Sequence, residues 1–324
     1  AWECNHDYNQ SHYHEGDDPT PKLWQGYDAF AQVEAAINFI TEKQSSDRPY
    51  ALFLSLGIPH DPYDTAPSEY RSLFDPEKIR LRDNVPTESV ARSRACLAGY
   101  YAHIAAMDTA ISRLELAISK SNSPSNTIFV VTSDHGDMIG SQGKWDKQQP
   151  WDESIRVPFL LSYPDRFGRE NIEVNRPFDT IDIMPTLLSL CGVPVPDTVD
   201  GTDFTSNIEG LKPDEDEAVV IRCVAPFGPW SRAKGGKEYR GIRTKRYTYT
   251  RDLESPWLLF DNKKDPSQLS NRVNDPEFAR IQRALDVLLF KKLHQQQDPF
   301  QSAEHHLEQW GYQTREDGAI PYLD

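Results

Sequence analysis

Thr127-Ile-Phe-Val-Val-Thr132 is an unbroken apolar run that stops abruptly at Ser133-Asp134-His135-Gly136-Asp137. A continuous β-branched run, as opposed to an alternating one, marks a strand buried on both faces, the kind that fills parallel sheets covered by helices. Its polar end leaves Asp134 and His135 on a loop past the strand's carboxyl end, where ligands gather in open α/β sheets. Val157-Pro-Phe-Leu-Leu-Ser162 reads as a second buried strand, and residues 51–56 as a third. The third runs into Gly57-Ile-Pro-His-Asp-Pro-Tyr63, whose two prolines forbid regular structure and leave His60 on a loop.

Between these runs the periodicity turns helical. Phe30, Val33, Ala36, Ile37 and Ile40 predict an amphipathic helix over residues 29–43. Tyr100, Ile104, Met107, Ile111, Leu114 and Ile118 alternate steps of four and three and predict one apolar stripe on a helix over residues 88–119. Asp182-Ile-Met-Pro-Thr-Leu-Leu-Ser-Leu190 follows as a helix, with Asp182 a candidate N-cap, Pro185 in the first turn and Gly192 past the end. This order predicts an α/β protein: a mainly parallel central sheet with helices on both faces. The acidic stretch Pro213-Asp-Glu-Asp-Glu217 marks a boundary between residues 1–212 and 213–324. Beyond it, strands at 218–224 and 240–251 and a helix at 277–293 predict a smaller antiparallel α+β subdomain. Phe278, Ile281, Ala284, Leu285, Leu288 and Leu289 share one side of that helix.

Charge narrows the function classes. Lys+Arg 35 against Asp+Glu 50 leaves a net charge of −15, which argues against a nucleic-acid binder with its basic face. No apolar run approaches the ~20 residues of a membrane span. Cys4, Cys96, Cys191 and Cys223 are too scattered for a disulfide framework or a zinc ribbon, although one disulfide stays open. The opening Ala1-Trp-Glu-Cys-Asn-His-Asp-Tyr8 lacks an initiator Met and any leader pattern, so it reads like the interior of a longer protein and names no compartment.

The chemistry-bearing residues form a coherent set. Asp134 offers a hard oxygen to a divalent cation, Lys147 a fixed positive charge and His60 a proton or hydrogen bond, with Lys144 on the same loop as Lys147. We expect Asp134, Lys147 and His60 to gather around one tetrahedral anion and its cation. The bland alternative is a plain turn at Asp-His-Gly and solvated lysines. His6, His12 and His14 are a further metal-capable group, though no regular spacing aligns their rings. Trp230, Arg232, Lys234 and Lys237 either line a cleft or sit on an ordinary surface loop.

Context favours the functional reading. Thr132-Ser-Asp-His-Gly136, then Lys147 ahead of Gln-Gln-Pro-Trp151-Asp-Glu, then Ile155-Arg-Val-Pro158 closely resembles the sulfatases of the alkaline phosphatase superfamily. Pro59-His-Asp-Pro-Tyr63 resembles their P-H-x-P-Y loop, and Asp182-Ile-Met-Pro-Thr-Leu-Leu188 with Pro194 and Gly201 their D-I-x-P-T-L-L…P…G segment. Gly241-Ile-Arg-Thr-Lys-Arg-Tyr247 and Leu259-Phe-Asp-Asn-Lys-Lys-Asp-Pro266 are similar to elements of their C-terminal subdomain. The resemblance implies an alkaline phosphatase-like fold and hydrolysis of the sulfate monoester of a small molecule or saccharide. It implies Asp134 and His135 as ligands of one Ca²⁺, His60 at the ester and its leaving group, and Lys147 on a sulfate oxygen. Lys144 falls where the family varies and is a secondary, substrate-side candidate.

Three family elements do not occur. None of the four cysteines opens a C-x-P-S-R motif, Cys191-Gly-Val-Pro194 lacking the Ser-Arg, so the residue that becomes formylglycine is missing. The Asp17-Asp18 pair follows no apolar strand, and Gly143-Lys-Trp-Asp146 lacks the histidine of G-K-W-H. The expectation is therefore the C-terminal portion of a sulfatase: an incomplete sheet with uncovered apolar faces, inactive by itself, its formylglycine in an N-terminal part. The alternatives are a phosphonate or phosphate ester hydrolase of the same superfamily, or a non-catalytic binding homologue.

Overall fold

A computed structural model describes residues 6–212, 218–316 and 318–321, so the acidic boundary at 213–217 and Cys4 lie outside the described residues. The chain forms two units interleaved along the sequence. One comprises Ala1–Thr132, Ile139–Lys144 and Phe159–Arg169, the other Ser133–Met138, Trp145–Pro158 and Glu170–Asp324.

In the first unit, helix α1 (Asp28–Lys43) buries Ala29, Val33, Ala36 and Ile40. These pack with Ala106, Ala110 and Leu114 of the 30-residue helix α2 (Val90–Ser119). The face that α2 buries is not centred where the large apolar residues predicted. Ala98, Ala102, Ala106 and Ala110 are its spine, whereas Ile104 is 37% exposed. Short side chains let a neighbouring helix come close, so the alanines fill the contact and Met107 and Ile118 pack at its margins.

Strands β1 (Phe129–Thr132) and β2 (Phe159–Ser162) pair antiparallel, with Phe129 opposite Ser162 and Thr132 opposite Phe159. The parallel pairing expected of these runs is thus corrected. A parallel pair needs a crossover of a dozen or more residues, usually a helix, and the only α-helix in the connection is the single turn Asp152–Ile155. Residues 51–56 are extended but join no ladder among the described residues. They keep a strand's alternation, Leu54 and Leu56 packing on the helical core while Phe53 is 89% exposed. Leu160 on β2 is likewise 64% exposed.

The second unit carries helix α3 (Ile183–Leu190) and a four-stranded antiparallel sheet, β3 (Val219–Cys223), β4 (Tyr239–Arg243), β5 (Tyr247–Arg251) and β6 (Pro256–Asp261), in that order. The predicted strand at 240–251 is a hairpin. The Thr244 hydroxyl accepts from the Tyr247 N–H at 2.8 Å and the Arg246 N–H at 3.2 Å, folding the chain back. Helix α4 (Ala279–Gln295) lays Leu285, Leu289 and Leu293 on Val220, Ile242, Tyr249 and Leu259, so the predicted apolar side is the one that packs. A last helix, α5 (Ala303–Trp310), had no clear signal in its short sequence. Asp182 stands at the head of α3 without capping it. Its carboxylate accepts instead from the Asp179 N–H at 2.8 Å and the Thr202 N–H at 2.7 Å, pinning the Gly201 turn to the helix start. Among the described residues no helix is long and apolar enough to cross a membrane.

Candidate active site

His60 sits in the first unit on a loop fixed from three sides. The buried Tyr8 hydroxyl lies 3.0 Å from the carbonyl oxygens of Gly57 and His60 and 3.3 Å from that of Asp61. On α2, His103 Nε2 lies 3.2 Å from the Pro62 carbonyl oxygen, and the Tyr27 hydroxyl lies 2.6 Å from His103 Nδ1. A carbonyl can only accept, so Nε2 carries the proton and Nδ1 accepts from Tyr27. That is a neutral imidazole, and burial pushes its pKa below the ordinary histidine value. One turn earlier, Gly99 has no side chain because a Cβ there would collide with the Tyr63 carbonyl. The loop is therefore seated on a helix face shaped to receive it. His60 Nδ1 lies 2.9 Å from Asp61 Oδ1 and 3.1 Å from the Asp61 carbonyl oxygen. Both partners are acceptors, so the proton sits on Nδ1. A ring held this way presents Nε2 for proton exchange with a departing oxygen.

Asp134, His135 and Lys147 share the second unit; His60 and Lys144 share the first, on separate loops. His135 Nδ1 is 2.9 Å from the Gly136 carbonyl oxygen, so this nitrogen is the donor and Nε2 keeps its lone pair. Nε2 lies 3.6 Å from Asp134 Oδ2, and the Asp134 side chain is 85% exposed. One imidazole nitrogen and one carboxylate oxygen thus face each other with room for a cation, and the Gly136 carbonyl fixes the tautomer in the way outer-shell groups do. Nitrogen is an unusual donor to a hard cation, but the adjacent carboxylate supplies the charge. The residues fit a divalent metal.

Lys147 is carried on a braced loop. Gln149, 2% exposed, donates from Nε2 to the Trp145 carbonyl at 2.8 Å and the Lys147 carbonyl at 3.3 Å. The Met138 N–H donates to the Asp146 carbonyl and the Gly136 N–H to the Ser154 carbonyl, tying the Asp134 and Lys147 loops into one scaffold. Gly136 is required there, since a Cβ would strike the Glu153 carbonyl. Behind them, Arg243 of β4 grips Asp152 with two nitrogens at 3.0 and 3.1 Å, and Gln268 accepts from the Asp152 N–H at 3.0 Å. Asp146 and Gln148, flanking Lys147, have φ of 60° and 71°, and Ile139 and Gln142, before Lys144, have 38° and 56°. Such backbone outliers cluster where a loop is over-determined for function. Lys144 itself is held by its backbone, which bonds to Gly140 and Ser141.

Two expectations change. Among the described residues, the metal-capable side chains that converge are His6, His60 and Asp61, without His12 or His14. In the second unit, Trp230 is 3% exposed and stacked on Trp257, Arg232 pairs with Glu238 and Glu304, and Lys237 bonds Asp252 at 2.7 Å. These three hold the unit together; they are not presented as a free cleft wall. Sequence reasoning gave no role to Tyr8, Gln149 and Arg243, which it met only inside motifs, and passed over Gly99 and His103. The one usable signal was a glycine and a histidine four apart on a helix, a spacing that puts both on one face.

Comparison with known proteins agrees with the motifs. The Sulfatase family profile matches residues 3–193, and that of N-sulphoglucosamine sulphohydrolase, C-terminal, matches residues 140–297. An ulvan-active sulfatase of Formosa agariphila is 40% identical over 330 residues, covering 100% of this chain and 63% of that protein. An arylsulfatase of Clostridium perfringens is 27% identical over 289 residues, covering 81% of this chain and 56% of that protein. A Bacteroides fragilis structure described as the sulfatase yidJ superposes with a TM-score of 0.80 at 26% identity, covering 92% of this chain and 65% of that one. The chain spans less than two thirds of the length of each.

Proposed function

As the chain belongs to the sulfatase family and has its alkaline phosphatase-like α/β fold, we propose that it carries the oxyanion-binding and leaving-group residues of a sulfate monoester hydrolase. The observation that carries this reading is the pairing of two braced loops with the matching family motifs: His60 held by Asp61, and Asp134, His135 and Lys147 on one scaffold.

The roles follow from the chemistry of each group. Lys147 places a full positive charge on a sulfate oxygen, where negative charge must be held through the displacement. His60, oriented by Asp61, is the general acid that protonates the departing alcohol, so a poor leaving group need not depart as an alkoxide. Asp134 and His135 hold one Ca²⁺, which when bound neutralises charge on the sulfate oxygens. Lys144 is the secondary, substrate-side candidate. The attacking oxygen would come from a formylglycine in sequence outside these 324 residues, which contain no C-x-P-S-R or S-x-A-S-R motif. The substrate is the sulfate ester of a saccharide or small molecule, and ulvan is the first to try because of the 40% identical relative.

The test is sulfate release from p-nitrophenyl sulfate and from ulvan by the natural-length protein. Lys147→Ala should lower kcat/KM by at least ~10²-fold, the scale for losing one oxyanion-stabilising group. An unchanged value would move the anion-binding role to Lys144 or elsewhere. Release from neither ester, with phosphonate esters cleaved instead, would overturn the sulfate assignment.

A further inference from the structure

We propose that His6, His60 and Asp61 form a second cation site, for a borderline divalent ion of the zinc class. One ligand atom from each residue lies within 4.8 Å of the other two. Ligand atoms around tetrahedral zinc stand roughly 3.3 Å apart for bonds of about 2.0–2.1 Å. The His60 Nδ1 to Asp61 Oδ1 separation of 2.9 Å is close to that geometry, and the exposed His6 ring lies beside His60, their centroids 4.4 Å apart. Two imidazoles and one carboxylate are the donor set zinc takes when a fourth position is left to water, and the set is distinct from the Asp134–His135 pair assigned to calcium.

The backbone around the three ligands is fixed before any ion arrives. Tyr8, two residues after His6, is buried with its hydroxyl against the Gly57, His60 and Asp61 carbonyls. The Asn9 amide donates to the Thr65 carbonyl at 3.0 Å, and its N–H to Asp7 Oδ1 at 3.2 Å. The segment bearing His6 is therefore stitched to the loop bearing His60 and Asp61 on both sides of that loop's prolines, so an ion that displaces the His60 Nδ1 proton meets a backbone already in place. An ion here would also replace the Nδ1 proton and so alter the His60 ring that serves the ester. That consequence rests on the function proposed above; the binding itself does not.

The experiment is titration of the full chain with Zn²⁺ against a chromogenic chelator, and with Co²⁺ followed by its visible d–d absorption. We expect one ion whose affinity falls by at least ~10-fold in His6→Ala and again in Asp61→Asn, with the Co²⁺ bands altered in both. A His12→Ala/His14→Ala variant should bind as the parent does. His6 is exposed, and circular dichroism checks that each variant is folded. No binding, full affinity in His6→Ala, or loss in the His12/His14 variant would each overturn the site. Inhibition of the natural-length enzyme by Zn²⁺, relieved by His6→Ala, tests the consequence for His60 separately.

Discussion

His103 on α2 reaches the carbonyl oxygen of Pro62 across 3.2 Å, and so a fully buried histidine holds the loop on which His60 is displayed. Gly99, four residues earlier, clears space for the Tyr63 backbone on the same helix face. The helix is a seat for the loop as well as a partner for α1.

That seat titrates. Burial lowers the His103 pKa in the folded protein, while the unfolded chain takes up a proton near the ordinary histidine value of about 6.5. Stability is thus fully present above that value and is lost as pH falls through it toward the folded pKa. Urea midpoints measured from about pH 7 to about pH 5 should fall, and His103→Gln should flatten the curve. A parent curve without slope would contradict the neutral imidazole.

His60→Ala in the natural-length enzyme should cost ~10²–10⁴-fold with alkyl sulfates, the range for a general acid. The loss should shrink with p-nitrophenyl sulfate, whose phenolate leaves without a proton. Equal losses on both esters would point to binding of the sulfate group instead.

Gly136→Ala pushes a methyl group into the Glu153 carbonyl. Overpacking of that kind costs ~1–3 kcal/mol, and here it also displaces the turn that aligns Asp134 with His135. Thermal melts should show the loss, and the Ca²⁺ concentration for half-maximal activity should rise. A variant with lower stability but parent-like Ca²⁺ dependence would separate the turn from the metal.

Chelation should remove activity from the natural-length enzyme and Ca²⁺ restore it, whereas Asp134→Ala should resist restoration. The 324-residue chain alone should release p-nitrophenol from p-nitrophenyl sulfate only at background. Turnover by that chain would place a nucleophile among its own residues.

Much of this architecture is legible in the sequence where one rule acts alone. Periodicity located α1, α2 and α4, and the motifs located the loops of His60, Asp134 and Lys147, because turn chemistry and local spacing are written in consecutive residues. What was not legible depended on partners. Hydropathy ranks Ile104 above Ala102, yet the close helix contact selects the alanine. The runs ending at Thr132 and Ser162 read as parallel strands because burial leaves no trace of direction; the connection between them, without a crossover helix, goes with antiparallel pairing. Gln149 and Arg243 lie inside the quoted motifs, but their roles appear only when the chain brings Lys147 and Asp152 to them.

The fork between Arg243 and Asp152 has a consequence for how this protein varies. A position on β4 and the turn that follows Lys147 are mechanically one piece, although 91 residues separate the two ends of the fork. Natural drift at either end should be answered at the other. A lone Arg243→Lys exchange, charge-preserving but without the fork, should surface as sluggish catalysis in a molecule that still melts much like its parent.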